Sequence, residues 1–266
     1  MEMLNKIKIS VSAFQLKIAS LVLFIIGRSM IRIGIYGYDG SNAAAIPFTY
    51  YLGYFLTYTA LPMIAFLTVE AVLKTRSLRQ LFTRLGFAAV ITELLLDLSA
   101  YGLRTFDLSK GIKNNPALSD NPNLYFTLIA GSVAVCIMER FVAAKFSPGS
   151  VLYVVLNILT VLVCCAVSQL LGFEHGIICV LFMAAFYFLQ GKPALSIAGI
   201  TALQLIALGS VKVIAFLIAP IIGTLPIVFY KNEEGYKNGA VRLLTYIAFP
   251  LCYSAVLLIL RFGPLD

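Results

Sequence analysis

V-L-Y-V-V-L-N-I-L-T-V-L-V-C-C-A-V-S-Q-L-L, residues 151–171, runs without a single charged side chain. As a helix at about 1.5 Å per residue it is roughly 30 Å long, the thickness of a bilayer's hydrocarbon core. A soluble helix keeps one polar stripe for water, and this stretch has none. Similar runs recur along the chain at 15–36, 47–73, 84–103, 124–144, 176–190, 194–210, 212–230 and 240–261. Of the 266 residues 61% are hydrophobic and 12% charged, about half the charge of an ordinary soluble domain. The polar residues are too few to coat that many apolar segments. The reading is an all-α, polytopic integral membrane protein of about nine transmembrane helices, range eight to ten, forming a single domain over residues 1–266. The short pair at 176–190 and 194–210 leaves room for a hairpin or re-entrant arrangement.

The formal charge of +8 fits this class without invoking nucleic acid. Lys and Arg collect on the cytoplasmic side of a membrane protein. With an alternating path, Lys6, Lys8, Lys17, Lys74, Arg76, Arg79, Arg84, Arg140, Lys145, Lys192, Lys231, Lys237 and Arg242 share one side. Arg104, Lys110, Lys113, Lys212 and Arg261 face the other. The bias places the N-terminus in the cytoplasm and the polar connection 104–122 outside. The first apolar run lacks a small-residue cleavage site and reads as a retained span. The only histidine is His175, which excludes a His-rich metal site, so no metal is expected. Cys136, Cys164, Cys165, Cys179 and Cys252 lie in apolar surroundings without ligand spacing.

The exceptions to this apolar pattern are charges inside the spans. F-I-I-G-R-S-M-I-R-I-G, residues 24–34, holds Arg28 and Arg32, roughly 16 and 22 Å beyond Lys17 along a helix. The third run holds Glu93 and Asp97, roughly 14 and 20 Å beyond Arg84. Each pair is spaced i, i+4 and so shares a helix face. An unpaired charge in hydrocarbon is costly. The matched depths predict a ladder, Arg28 with Glu93 and Arg32 with Asp97, where the first and third spans meet. Such a ladder either fastens helices or lines a polar cavity. Glu70 is expected to pair with Lys74, one turn later. Gln204 and Asn157 are expected to hydrogen-bond between helices. Glu174 and His175 are expected in a short outer loop, with the histidine solvated and catalytic base its minor alternative.

Several segments resemble the TraX family of membrane proteins, named for acetylation of conjugative pilin. They are L-P-M-I-A-F-L-T-V-E-A-V-L-K-T-R (61–76), I-T-E-L-L-L-D-L-S-A-Y-G (91–102), N-L-Y-F-T-L (123–128) and E-H-G-I-I-C-V-L (174–181), in the family's order. The resemblance implies an acyltransferase that moves an acetyl or other acyl group from a CoA donor to a peptide or other acceptor at a bacterial plasma membrane. No bound cofactor is implied. It also implies that Glu93 and Asp97 are catalytic carboxylates and that Asn123 and Thr127 are positioning groups in the cavity with Arg28 and Arg32. The sequence departs from the pattern where the family carries histidines: Gly27 and Arg28 replace an Asp-His pair, and Cys252 replaces a late histidine. An arginine stays protonated and cannot act as a base. Arg76 and Arg79 would receive donor phosphates, unless they merely set topology. Two other classes stay open: a non-catalytic membrane subunit that binds a protein partner or lipid, and a small permease.

Overall fold

The computed structural model describes residues 10–36, 48–101, 123–190 and 215–231, with scattered positions between 192 and 202 and between 247 and 258. The apolar runs 194–210 and 240–261 therefore lie largely outside the described residues. So do the connection 104–122, Gln204 and the side chains of Arg32 and Asp97. Among the described residues the chain is helical: α1 Ala13–Tyr36, α2 Phe48–Lys74, α3 Leu78–Tyr101, α4 Leu124–Lys145, α5 Val151–Leu170, α6 Gly176–Phe188 and α7 Ala215–Val228. Four stretches are long and apolar enough to cross a membrane: Ala13–Ile31, Phe48–Lys74, Leu124–Lys145 and Val151–Leu170. Helices α6 and Ile218–Val228 are apolar but shorter.

Helix α5 shows why the opening stretch is not a soluble helix. It turns Val151, Leu152, Val155, Ile158, Leu159, Leu162 and Leu170 outward, all exposed. Its narrow inner face buries Asn157, Cys164, Cys165 and Ser168. Such a surface suits an apolar solvent, and the helix is long and apolar enough to cross a membrane.

Helix α2 is the hub. It packs along α1, against α7 and on α4 and α6; α4 in turn carries α3, α5 and α6. The α1–α2 crossing is backbone on backbone. A Cβ on Gly53 would lie 2.6 Å from the Gly27 carbonyl and 2.7 Å from the Ile31 nitrogen. Small residues at such crossings let van der Waals contact hold helices in lipid, where the hydrophobic effect does not. Gly223 of α7 meets the Thr59 carbonyl of α2 in the same way. Pro62 sits inside α2. The core beneath these crossings is Leu61, Ala65, Val69, Leu128, Val135, Phe182 and Met183.

At the end rich in Lys and Arg, Glu70 and Lys74 form the expected ion pair. Lys74 Nζ also donates to the Tyr230 hydroxyl at 3.2 Å. A one-turn π-helix, Met138–Val142, interrupts α4 there, and its Glu139 accepts from the Tyr187 hydroxyl at 3.0 Å. The Arg140 guanidinium donates to the Thr75 carbonyl at 3.1 Å, tying α4 to the α2–α3 turn.

Candidate functional site

A short loop makes the site. Helix α5 ends at Leu170, and Gly172, with φ of 67°, takes the left-handed backbone that ends helices cheaply. The Phe173 amide then returns to the Ser168 carbonyl at 2.9 Å, and the Phe173 ring stacks on Phe126 of α4 at 5.6 Å. The loop is thus drawn into the bundle. Helix α6 starts at Gly176, where a Cβ would lie 3.1 Å from that of Ser168, so only a glycine-sized residue lets the chain reverse so tightly. Glu174 and His175 are carried inward with it, and both side chains are buried, at 8% and 9% exposure.

Around them a polar belt crosses the bundle. The Arg28 guanidinium of α1 pairs with the Glu174 carboxylate at 2.9 Å. The Thr127 hydroxyl of α4 donates to the Glu174 backbone carbonyl at 2.5 Å. One turn earlier on α4, Asn123 donates from its amide nitrogen and its backbone N–H to Glu93 of α3, at 2.7 and 3.0 Å. It also donates to the Ala89 carbonyl at 2.9 Å. The Asn123 side-chain oxygen accepts the Tyr125 amide at 3.0 Å and so caps α4. A carboxylate at that helix's positive end is favourable as well.

The sequence-predicted residues Arg28, Glu93, Asn123 and Thr127 therefore meet at one level; the expected Arg28–Glu93 pair is not among the ion pairs of the described residues, and the expected Arg32–Asp97 pair lies outside them. Arg28 pairs with Glu174, and the Glu93 carboxylate is engaged by Asn123. The cause is the order of packing: α1 lies on α2 while α3 lies on α4, and the α5–α6 loop brings its own carboxylate to α1. The solvated outer-loop placing of Glu174 and His175 is likewise corrected, because Phe173 anchors the loop in the bundle. Arg76 and Arg79 are exposed at the opposite end, beyond Lys74, which lies roughly 24 Å along α2 from Tyr58. Buried Asn157 finds no hydrogen-bond partner among the described residues, contrary to its predicted interhelical bond.

Sequence reasoning undervalues His175, which combines three unusual features. Its backbone is left-handed, φ 53° and ψ 22°, a conformation costly for a side chain with a Cβ and concentrated at functional sites. Its ring meets Tyr58 of α2 edge-on at 5.3 Å. Its Nε2 lies 3.7 Å from Glu174 Oε1, beyond hydrogen-bonding distance, and has no hydrogen-bond partner among the described residues. Burial pushes the imidazole below the usual histidine range. The Glu174 carboxylate opposes that shift, and the Arg28 guanidinium adds to it. The signal available in the sequence is the length of the connection: four residues between the apolar runs 151–171 and 176–190 cannot carry a side chain far from the bundle.

Two outcomes follow. Asn123→Ala removes a helix cap and takes the side-chain amide donor from Glu93, and should cost about 2 kcal/mol, read as a lowered Tm of purified protein in detergent. The pH dependence of His175 has a definite sign. Its folded pKa lies below the unfolded value of about 6.5, so the unfolded chain takes up the proton first. Stability is full above about pH 6.5 and falls as the pH drops below it, by at most about 1.4 kcal/mol per pH unit from this group. His175→Gln should flatten that part of a Tm-against-pH curve.

Comparison of the chain with protein-family models, with curated proteins and with solved structures finds no match.

Proposed function

We propose that this is a bacterial cytoplasmic-membrane protein of about nine spans that transfers an acyl group from a CoA thioester to an amine or hydroxyl acceptor, with His175 as the base. The observation that carries the reading is an imidazole kept neutral by burial, beside a carboxylate, in a loop drawn into the bundle. A neutral imidazole can take a proton at once, whereas a charged one cannot. In the proposed step His175 Nε2 removes the acceptor's proton as its nitrogen or oxygen bonds to the acyl carbon. The C–S bond then breaks, and the imidazolium returns the proton to the departing CoA sulfur. Glu174 stabilises the transient imidazolium. Arg28 orients Glu174 and faces the oxygen on which negative charge develops. Glu93, with its donors on Asn123, positions α4 rather than acting as the base; Asp97 keeps its resemblance-based role in the cavity.

The second reading, a non-catalytic subunit, is favoured by a different observation. Arg28 and Glu174 neutralise each other, and the basic groups Arg76 and Arg79 lie at the opposite end of the bundle. The two readings separate in one assay. Protein in nanodiscs is given acetyl-CoA and a primary-amine or sugar acceptor, and free CoA thiol is measured. The transferase reading expects turnover that falls at least about 100-fold in His175→Gln, the scale of a lost general base. Absence of acetyl-CoA binding overturns it, and a stoichiometric co-purifying membrane protein then supports the subunit reading.

A further inference from the structure

Helix α3 carries its first charges on the outside. Its inner face buries Leu81, Leu85, Ala88, Ala89 and Thr92. Arg79, Thr83, Phe87, Val90 and Leu94 recur at spacings of three and four, share the opposite face and are all exposed. The face changes character along its length, from a guanidinium and a hydroxyl to an aromatic ring and two aliphatic chains. Arg84 is exposed on the flank of the same face, one turn before Phe87. Gly86 lies one turn before Val90, and a Cβ placed on it would meet nothing within 4 Å, so no described helix covers the face there.

Two contacts fix the height of this face. Toward one end Asn123 donates to the Ala89 carbonyl; at the other Arg140 donates to the Thr75 carbonyl. Asn123 and Arg140 stand roughly 26 Å apart along α4, most of a hydrocarbon core. Arg84 lies between those levels, roughly 8 Å along α3 from Ala89 and roughly 9 Å from Leu78. Helix α5, by contrast, exposes Val151, Leu152 and Val155 from its first turns. Neither Arg79 nor Arg84 makes an ion pair among the described residues. A guanidinium at such a height is stabilised when it reaches lipid headgroups and draws them toward itself.

We infer that this face of α3 is a binding site for an anionic glycerophospholipid of the leaflet at the Lys- and Arg-rich end. Arg79 and Arg84 hold its phosphate, and an acyl chain lies along Phe87, Val90 and Leu94, with Gly86 leaving room for it. Arginine suits the task, because its fork of N–H donors matches the oxygens of a phosphate. The apolar continuation of the face selects a lipid over a soluble phosphate compound, which has no hydrocarbon to bury there. The site rests on charge, exposure and helix register, and it holds whether or not the chain transfers acyl groups.

The chain contains no tryptophan, so a single introduced one reports its own surroundings. Phe87→Trp is reconstituted in phosphatidylcholine vesicles holding a minor fraction of phosphatidylglycerol, with bromine on the acyl chains of one lipid or the other. Bromine quenches the indole only at short range. Leu152→Trp, exposed at the start of α5 at the same end of the bundle, controls for the general attraction of a basic surface. Phosphatidylglycerol should be enriched at Phe87→Trp at least about fivefold relative to Leu152→Trp, the scale of one basic residue at an anionic surface. Adding Arg79→Gln and Arg84→Gln should bring the Phe87→Trp value down to that of Leu152→Trp. Equal enrichment at the two positions, or enrichment that survives the loss of both arginines, overturns the site. Absence of quenching by either brominated lipid means that a protein segment or a second copy covers the face, and overturns it as well. If Phe87→Trp fails to fold, Val90→Trp reads the same face in the same vesicles.

Discussion

Glu174→Ala should lower stability by about 3–5 kcal/mol, because it takes the carboxylate counter-ion away from the Arg28 guanidinium inside the bundle. The carboxylate is 8% exposed and the guanidinium 23%, so the pair is largely buried. Arg28→Ala should cost somewhat less. Glu174 then keeps the Thr127 bond to its backbone, while its side chain loses the Arg28 partner. The informative variant is the pair. Arg28→Leu with Glu174→Leu removes both charges and fills similar volume, and buried ion pairs replaced in this way are commonly neutral or stabilised. The double variant should therefore melt within a few degrees of the natural protein in detergent, well above either single one. If the double variant is no more stable than Glu174→Ala, the two side chains are not partners. The same double variant should abolish acyl transfer if His175 works through Glu174, which separates the structural role of the pair from its chemical one.

Gly53→Leu is expected to do comparable damage by another route. A Cβ alone would stand 2.6 Å from the Gly27 carbonyl and 2.7 Å from the Ile31 nitrogen, and both are backbone atoms of a helix that cannot turn aside. Helices α1 and α2 must separate, at a cost on the order of 3 kcal/mol or more. Because Arg28 follows Gly27 directly, the separation also withdraws the guanidinium from Glu174. Gly86 is the control. Nothing lies within 4 Å of a Cβ placed there, so Gly86→Ala in α3 should be neutral or stabilise by about 0.5–1 kcal/mol. A Gly53→Leu protein that melts like Gly86→Ala would falsify the close crossing.

The helix limits are legible in the sequence because apolar run length is a one-dimensional property. The run at 124–144 corresponds to Leu124–Lys145, and that at 151–171 to Val151–Leu170. The third helix departs from this rule. Its apolar run starts at Arg84, yet the helix begins at Leu78, because Lys and Arg at a membrane edge are compatible with helix. The Glu70–Lys74 pair is equally readable, since four residues on one helix must be neighbours.

Partners on different helices are not readable in this way. Equal depth makes Glu93 a reasonable mate for Arg28, but depth is one coordinate and a bundle has three. The sequence by itself determined the apolar, helical class and the limits of the helices among the described residues, because each follows from local hydrophobicity and a fixed rise per residue. Tertiary structure alone decided who meets whom. The Gly27–Gly53 contact commits α1 to α2, Asn123 commits Glu93 to the start of α4, and Phe173 folds Glu174 and His175 inward. Those choices depend on side-chain volumes across helix crossings, which no single segment contains.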